Sequence, residues 1–140
     1  MLAALAALVW RRPGIFMLVL AGDVVADVSS FALRHAIGRE RPPLRFAEPR
    51  PLVHVPMNPS FPSGHASTSF ACAALLAWLT PLPSAPLFGL AALIAFSRVY
   101  DGVHYPLDVV GGAALGLAVA TALRLLATTL RRSERGQRAG

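Results

Sequence analysis

Two stretches of the chain carry side chains suited to phosphate chemistry. The first is Pro62-Ser63-Gly64-His65, and the second runs from Ser97-Arg98 to His104 and Asp108. Upstream, Arg34 and Arg41 add two fixed cations, the latter followed by Pro42. Phosphoryl transfer needs forked donors to hold a dianion, an acid for the leaving oxygen, and a nucleophile or activated water. These residue types supply all three. Ser63 ahead of Gly64 reads as a helix N-cap, and the free amides of such a terminus bind anions through their partial positive charge. Gly64 lets the backbone approach a ligand with no side chain in the way. His65, in the first turn, would face the same anion. The plainer reading of this tetrapeptide is an ordinary cap beside an interfacial histidine.

The second stretch is sharper. Arg98 stands at the end of an apolar segment, where one guanidinium can grip two phosphate oxygens. His104 falls in a short turn, and Pro106 suits the first position of the next helix. Asp108 then lies in that helix's first turn, four residues after His104. A carboxylate bonded to one ring nitrogen fixes the tautomer and leaves the other nitrogen free to attack. Taken singly, Asp108 reads as a partner of the helix dipole and Arg98 as a snorkelling interfacial residue. Taken together with His65, those plain roles explain too little. His35 reads as an interfacial helix-end residue and His54 as a solvated loop residue.

The elements that must position these groups are membrane-like. Of 140 residues, 55% are hydrophobic and 14% charged, against about 25% charged in ordinary soluble domains. Length allows one domain, 1–140. The net charge of +6 comes from 13 arginines with no lysine. They cluster at the ends of apolar runs, not along a soluble face, which argues against nucleic acid as a partner. Four segments of membrane-like character follow, at 14–35, 64–80, 85–100 and 106–130. The stretch 1–10 is apolar but too short to span, and reads as the tail of a helix whose beginning is absent. The expected fold is therefore all-α, an integral-membrane bundle of about four transmembrane helices plus an N-terminal helix stub.

Arg11 and Arg12 precede the first full segment, and Arg131, Arg132, Arg135 and Arg138 follow the last. Four crossings return the chain to its starting side, which the positive-inside rule makes cytoplasmic. On that reading 131–140 is a basic cytoplasmic tail, while the loop 38–62 and the turn 101–105 face outward. The loop holds seven of the twelve prolines, which disfavours a regular helix. Its further arginines, Arg39, Arg45 and Arg50, offer more positive charge than one phosphate requires. They are candidates to hold a second, non-transferred phosphate, or to attract anionic headgroups. Asp23 and Asp27, spaced i,i+4, share a helix face and read as hydrogen-bonding groups inside the bundle. Gly112 and Gly116 read as a close-packing pair, and Cys72 as a small buried filler. No feature of the sequence specifies an oligomeric state.

With these residues in view, the chain resembles the type 2 phosphatidic acid phosphatase (lipid phosphate phosphatase) superfamily. The family pattern of Pro-Ser-Gly-His is matched in full by Pro62 to His65. The pattern Ser-Arg, five residues, His, three residues, Asp is matched in full from Ser97 to Asp108. A third, lysine then six residues and Arg-Pro, is matched in spacing by Arg34 and Arg41-Pro42, with arginine standing for the lysine. The resemblance implies a bundle of membrane helices, normally about six in the family. It implies His104 as the nucleophile that becomes phosphorylated, oriented by Asp108, and His65 as general acid and then base. It assigns Arg34, Arg41, Arg98 and the amides around Ser63 and Gly64 to the phosphoryl oxygens, with no metal and no cofactor. The implied activity is hydrolysis of a lipid phosphate at the outer face of the cell membrane. A polyprenyl (undecaprenyl-type) diphosphate is the first expectation, and phosphatidic acid or phosphatidylglycerol phosphate the second. Readings of another class are a vanadium haloperoxidase-like enzyme, disfavoured by the continuous apolar segments, and a non-catalytic lipid-binding protein, disfavoured by the presence of both His65 and His104.

Overall fold

The computed structural model describes residues 12–46 and 50–139, so the apolar stub expected at 1–10 lies outside the described residues. Every regular element among them is helical: α1 (Pro13–Ile37), the single turn α2 (Pro42–Arg45), α3 (Gly64–Leu79), α4 (Ser84–Tyr100) and α5 (Pro106–Ala139). Punctuating residues explain most of these bounds. Proline opens α1, where its missing amide is not needed. Gly38 closes it in the left-handed region, φ 68°, with its amide bonded 2.9 Å to the Arg34 carbonyl. Ser63 caps α3, and the helix stops at Thr80 ahead of Pro81 and Pro83.

Two boundaries differ from the sequence reading. The proline-rich loop contains one helical turn, because Pro42 and Pro43 occupy its first two positions, where free amides are superfluous. The last helix does not stop near residue 130 but continues to Ala139, so the basic stretch expected as a tail extends α5. Nothing between 130 and 139 except Gly136 interrupts good helix formers.

The stretch Pro13–Arg45, which contains α1, and the stretch Pro106–Leu130 are long and apolar enough to cross a membrane. Helices α3 and α4, of 16 and 17 residues, reach about 24–26 Å at the helical rise. Large apolar side chains such as Phe16, Met17, Val28, Phe31, Leu93 and Phe96 are exposed, a surface suited to lipid and costly in water.

Helix α3 is the hub, packing on α1, α4 and α5, whereas α1 and α4 flank it without packing on each other. Small residues make this possible. Ala66, Ala71, Ala73 and Ala74 of α3 are buried, with Ala26 of α1, Ala91 and Ala95 of α4, and Ala120 of α5. The closest approach is between α3 and α5. A methyl group at Gly112 would collide with the Ser63 carbonyl oxygen, and one at Gly116 with that of Ser67. Ser67 Oγ also donates to the Gly112 carbonyl at 3.1 Å. The glycine pair thus seats α5 against α3 inside the bundle.

The two intramembrane carboxylates part company. The stripe of α1 buried on α3 is Gly22, Ala26 and Ser30, and positions 23 and 27 lie one residue, about 100°, around the helix. Asp23 is half-buried and receives a weak contact from the Cys72 thiol, Sγ to Oδ1 3.8 Å. Asp27 is exposed, and Cys72 is only half-buried. Neither is the interior group that spacing and composition suggested.

Candidate active site

All four long helices bring motif residues to one end of the bundle. Arg34 comes from the last turn of α1, Ser63 to His65 from the start of α3, Arg98 from the last turn of α4, and Asp108 from the first turn of α5. A direct bond ties two of the motifs, the Ser63 amide donating to the Asp108 carbonyl at 2.9 Å.

The N-cap expectation for Ser63 holds: its Oγ accepts from the Ala66 amide at 3.5 Å. Gly64 sits where side chains approach closely. A side chain there would meet Ser30 Oγ at 3.3 Å and both terminal nitrogens of Arg34 at 3.4 Å. The Arg34 guanidinium therefore lies across the opening turn of α3, and its Nε is buried without a hydrogen-bond partner among the described residues. Positive charge from the side chain and the helix terminus is superposed at this point.

His104 is buried in the turn between α4 and α5. Its Nδ1 lies 3.5 Å from Asp108 Oδ2, an ion-pair separation longer than a good hydrogen bond. Asp108 itself is fully buried and held from two sides. Arg39 Nη1 donates to Oδ1 at 2.9 Å, and the Tyr105 amide donates to Oδ2 at 2.9 Å. The second contact is the reach-back of an N3 carboxylate to its cap residue, so the carboxylate that faces His104 also serves the helix end.

Arg98 is pinned by neighbours on its own segment. Its Nη2 pairs with Asp101 Oδ2 at 3.0 Å, and Nε and Nη2 each donate to Ser97 Oγ at 3.1 Å. Arg41 is buried, its guanidinium wedged between the loop and the His104 turn.

Between these groups opens a cavity of about 190 Å³. Arg34, Arg41, His65, Arg98 and His104 line it, with Val53, His54, Pro56 and Asn58 from the loop and Val103 from the turn. Five of the residues expected from sequence thus share one wall, with Asp108 standing behind His104. Ser63 and Gly64 are buried beneath Arg34 and do not line it. Three placements depart from the sequence reading. His54 is exposed, as expected of a loop residue, yet it faces this cavity. Asn58 was not singled out at all. Arg39, taken as a candidate for a second phosphate, instead clamps Asp108 and lies 4.3 Å from the centre of the Tyr105 ring. Nor do Arg45 and Arg50 line the cavity. The partnership of Asp101 with Arg98 was legible as an i,i+3 pair; those of Asn58 and Arg39 join segments far apart in sequence and leave no periodic trace. His35 matches its helix-end reading, exposed, with Nδ1 2.8 Å from the Phe31 carbonyl. Among the described residues no group of three His, Cys, Asp or Glu side chains is placed to hold a metal.

Comparison with known proteins agrees with this geometry. The chain is 39% identical over 99 residues to a decaprenylphosphoryl-5-phosphoribose phosphatase of Mycolicibacterium smegmatis, covering 69% of this chain and 52% of that protein. It is 35% identical over 109 residues to an undecaprenyl-diphosphatase of Sulfolobus acidocaldarius, covering 76% and 51%. The chain therefore spans about half the length of these curated relatives. In structure it is similar to the transmembrane PAP2 type phosphatidylglycerolphosphate phosphatase from Bacillus subtilis, with TM-score 0.62 and 27% identity, covering 90% of this chain and 69% of that one. The model of the PAP2 superfamily matches residues 13–132, which include every motif residue around the cavity, and the chain belongs to that superfamily.

Proposed function

We propose that this chain is a multi-pass membrane phosphatase that hydrolyses a lipid phosphate or diphosphate through a phosphohistidine on His104. The observation that carries the reading is the single cavity shared by His104, His65 and three arginines, with Asp108 buried behind the nucleophile. Arg34, Arg98 and Arg41 hold the phosphoryl oxygens as charge develops on them, with the α3 terminus adding its partial positive charge from beneath Arg34. Nε2 of His104 forms the bond to phosphorus while the ester or anhydride P–O bond breaks. His65 gives its proton to the departing oxygen, then takes one from the water that cleaves the P–N bond. Fixed cations and helix amides meet the charge of the dianion in this scheme, so it calls for neither metal nor cofactor.

For the substrate, a polyprenyl diphosphate is the first choice, supported by the name of the Sulfolobus relative. A specific observation favours a second reading, a polyprenyl-linked monophosphate. Among the described residues, the arginines lining the cavity are the three of the motifs, a complement suited to one phosphoryl group, and the Mycolicibacterium relative's name describes such a substrate. Phosphatidic acid or phosphatidylglycerol phosphate follows. The arginine clusters flanking the first and last spans support an outward orientation of the cavity by the positive-inside rule, and on that reading α3 and α4 cross a core about 30 Å thick by local thinning and their flanking turns. The test is a panel of labelled lipid phosphates assayed with purified protein, followed by brief incubation and an alkaline detergent quench that preserves a P–N bond. Acid-labile phosphate should appear on the wild-type chain, and His104→Ala should lose both label and turnover. Label persisting in that variant would refute the assignment.

A further inference from the structure

Arg41 has five N–H donors, and each has a protein acceptor. Nε donates to the Asn58 carbonyl at 2.9 Å, and Nη2 donates to Asn58 Oδ1 at 2.7 Å and to the Pro59 carbonyl at 3.5 Å. Nη1 donates to the Val103 carbonyl at 2.9 Å and meets His104 Nε2 at 3.1 Å. The last contact has only one chemical meaning. A guanidinium cannot accept, so Nε2 must present its lone pair, and the proton of a neutral ring must sit on Nδ1, the nitrogen facing Asp108. By the same logic the Asn58 side chain must turn its oxygen, not its nitrogen, towards Arg41. Asn58 is therefore the residue that sets the roll of the guanidinium, through two acceptors from one position. With those two in place, the remaining edge of Arg41 is aimed at the turn that carries the nucleophile.

We infer that Asn58 is a positioning residue for phosphoryl transfer: it holds Arg41 so that Nη1 latches the attacking nitrogen of His104 until a phosphoryl oxygen takes over that donor. The inference rests on the phosphohistidine reading above and extends it. As Nε2 bonds to phosphorus its lone pair is consumed, the P–O bond to the leaving group breaks, and the leaving oxygen takes the His65 proton. The Nη1 hydrogen bond then passes from Nε2 to a phosphoryl oxygen, without any new cation entering the site. Arg41 thus acts on the nucleophile before it acts on the substrate, and Asn58 acts only through Arg41.

The test uses the full chain in detergent or bilayers, with rapid-quench measurement of phosphohistidine formation on the lipid phosphate that the panel selects. Asn58→Ala should slow formation by about 10- to 100-fold, the worth of hydrogen bonds to a charged group, with KM within about threefold of wild type. Asn58→Asp, which keeps an acceptor oxygen for Nη2, should recover most of the rate. A rise in KM with unchanged kcat would overturn the inference by making Asn58 a substrate contact. An unchanged rate in Asn58→Ala, or no recovery in Asn58→Asp, would overturn it as well. A readout that needs no substrate is the nitrogen NMR spectrum of labelled histidine in the resting protein, assigned by its loss in His104→Ala. His104 should show an unprotonated Nε2 and a protonated Nδ1, and a protonated Nε2 would overturn the latch. Should the protein turn over no lipid phosphate at all, the functional reading fails, while the nitrogen spectrum still decides the latch.

Discussion

Replacing Arg39 separates two roles that the same cation could have. In the structure its Nη1 bonds Asp108 Oδ1 at 2.9 Å, with Asp108 fully buried and the Arg39 side chain 34% exposed. Arg39→Gln removes a charged hydrogen bond from a buried carboxylate, a loss of about 1.5–3 kcal/mol. The exposed side of Arg39 lets water take part of its place and screens the charge, so the lower half of that range, about 1.5–2 kcal/mol, applies. Expressed in the orientation of Asp108 and His104, this is about a 10- to 30-fold loss of kcat. The assay compares a polyprenyl diphosphate with a monophosphate lipid such as phosphatidic acid, at matched detergent and salt. Because the effect acts through Asp108, both substrates should lose turnover by the same factor, and added salt should not reproduce it. Arg39→Lys, which keeps the charge without the fork, should fall between wild type and glutamine. A loss confined to the diphosphate would refute the reasoning and return Arg39 to the substrate.

Gly116→Ala drives a methyl into the Ser67 carbonyl, with the Ala71 amide nitrogen 3.0 Å away. Backbone on α3 cannot yield as a side chain can, so destabilisation of about 1–3 kcal/mol is expected, and an unchanged thermal midpoint in detergent would contradict it. Activity should survive excess chelator and be inhibited by vanadate, which resembles the five-coordinate phosphoryl group; rescue of a chelated enzyme by a divalent cation would refute the metal-free scheme. With Cys72 replaced, Arg50→Cys should react with an impermeant thiol reagent on intact cells and Arg135→Cys should not, and the opposite pattern would place the cavity in the cytoplasm.

The helices were legible because their ends carry residues with few conformational choices. Pro13, Gly38, Ser63 and Pro106 each mark a boundary that the structure reproduces within a residue or two. The end of α5 lacks such a residue, and its position was misplaced accordingly. Around the cavity, motif spacing located five of the residues that line it, since phosphate chemistry constrains residue type. It did not locate Asn58 or the Arg39 clamp. Asparagine and arginine have many uses in a polar loop. Asn58 gains its partner only where the irregular loop turns back on Arg41, 17 positions away, and Arg39 only where the loop meets Asp108, 69 positions away. The divergent fates of Asp23 and Asp27 have a similar origin. An i,i+4 spacing shows that two groups share a face, but not which neighbour that face meets.

The contact of Gly112 and Gly116 with the backbone of α3 divides the site into two mechanical parts. The motif histidines and their carboxylate belong to the α3–α5 pair: His65 and the α3 terminus on one helix, Asp108 on the other, and His104 in the turn leading into it. Two helices whose backbones meet where Gly112 and Gly116 face the Ser63 and Ser67 carbonyls have little freedom to slide, so His65, His104 and Asp108 keep their registration. Arg34 and Arg98 ride on α1 and α4, which flank α3 without packing on each other. No direct contact fixes the spacing of those two helices, whereas the α3–α5 pair is locked backbone to backbone. If the chain acts on a lipid phosphate as proposed, substitutions on α1 and α4 should alter the range of lipids accepted more than they alter the registration of His65, His104 and Asp108.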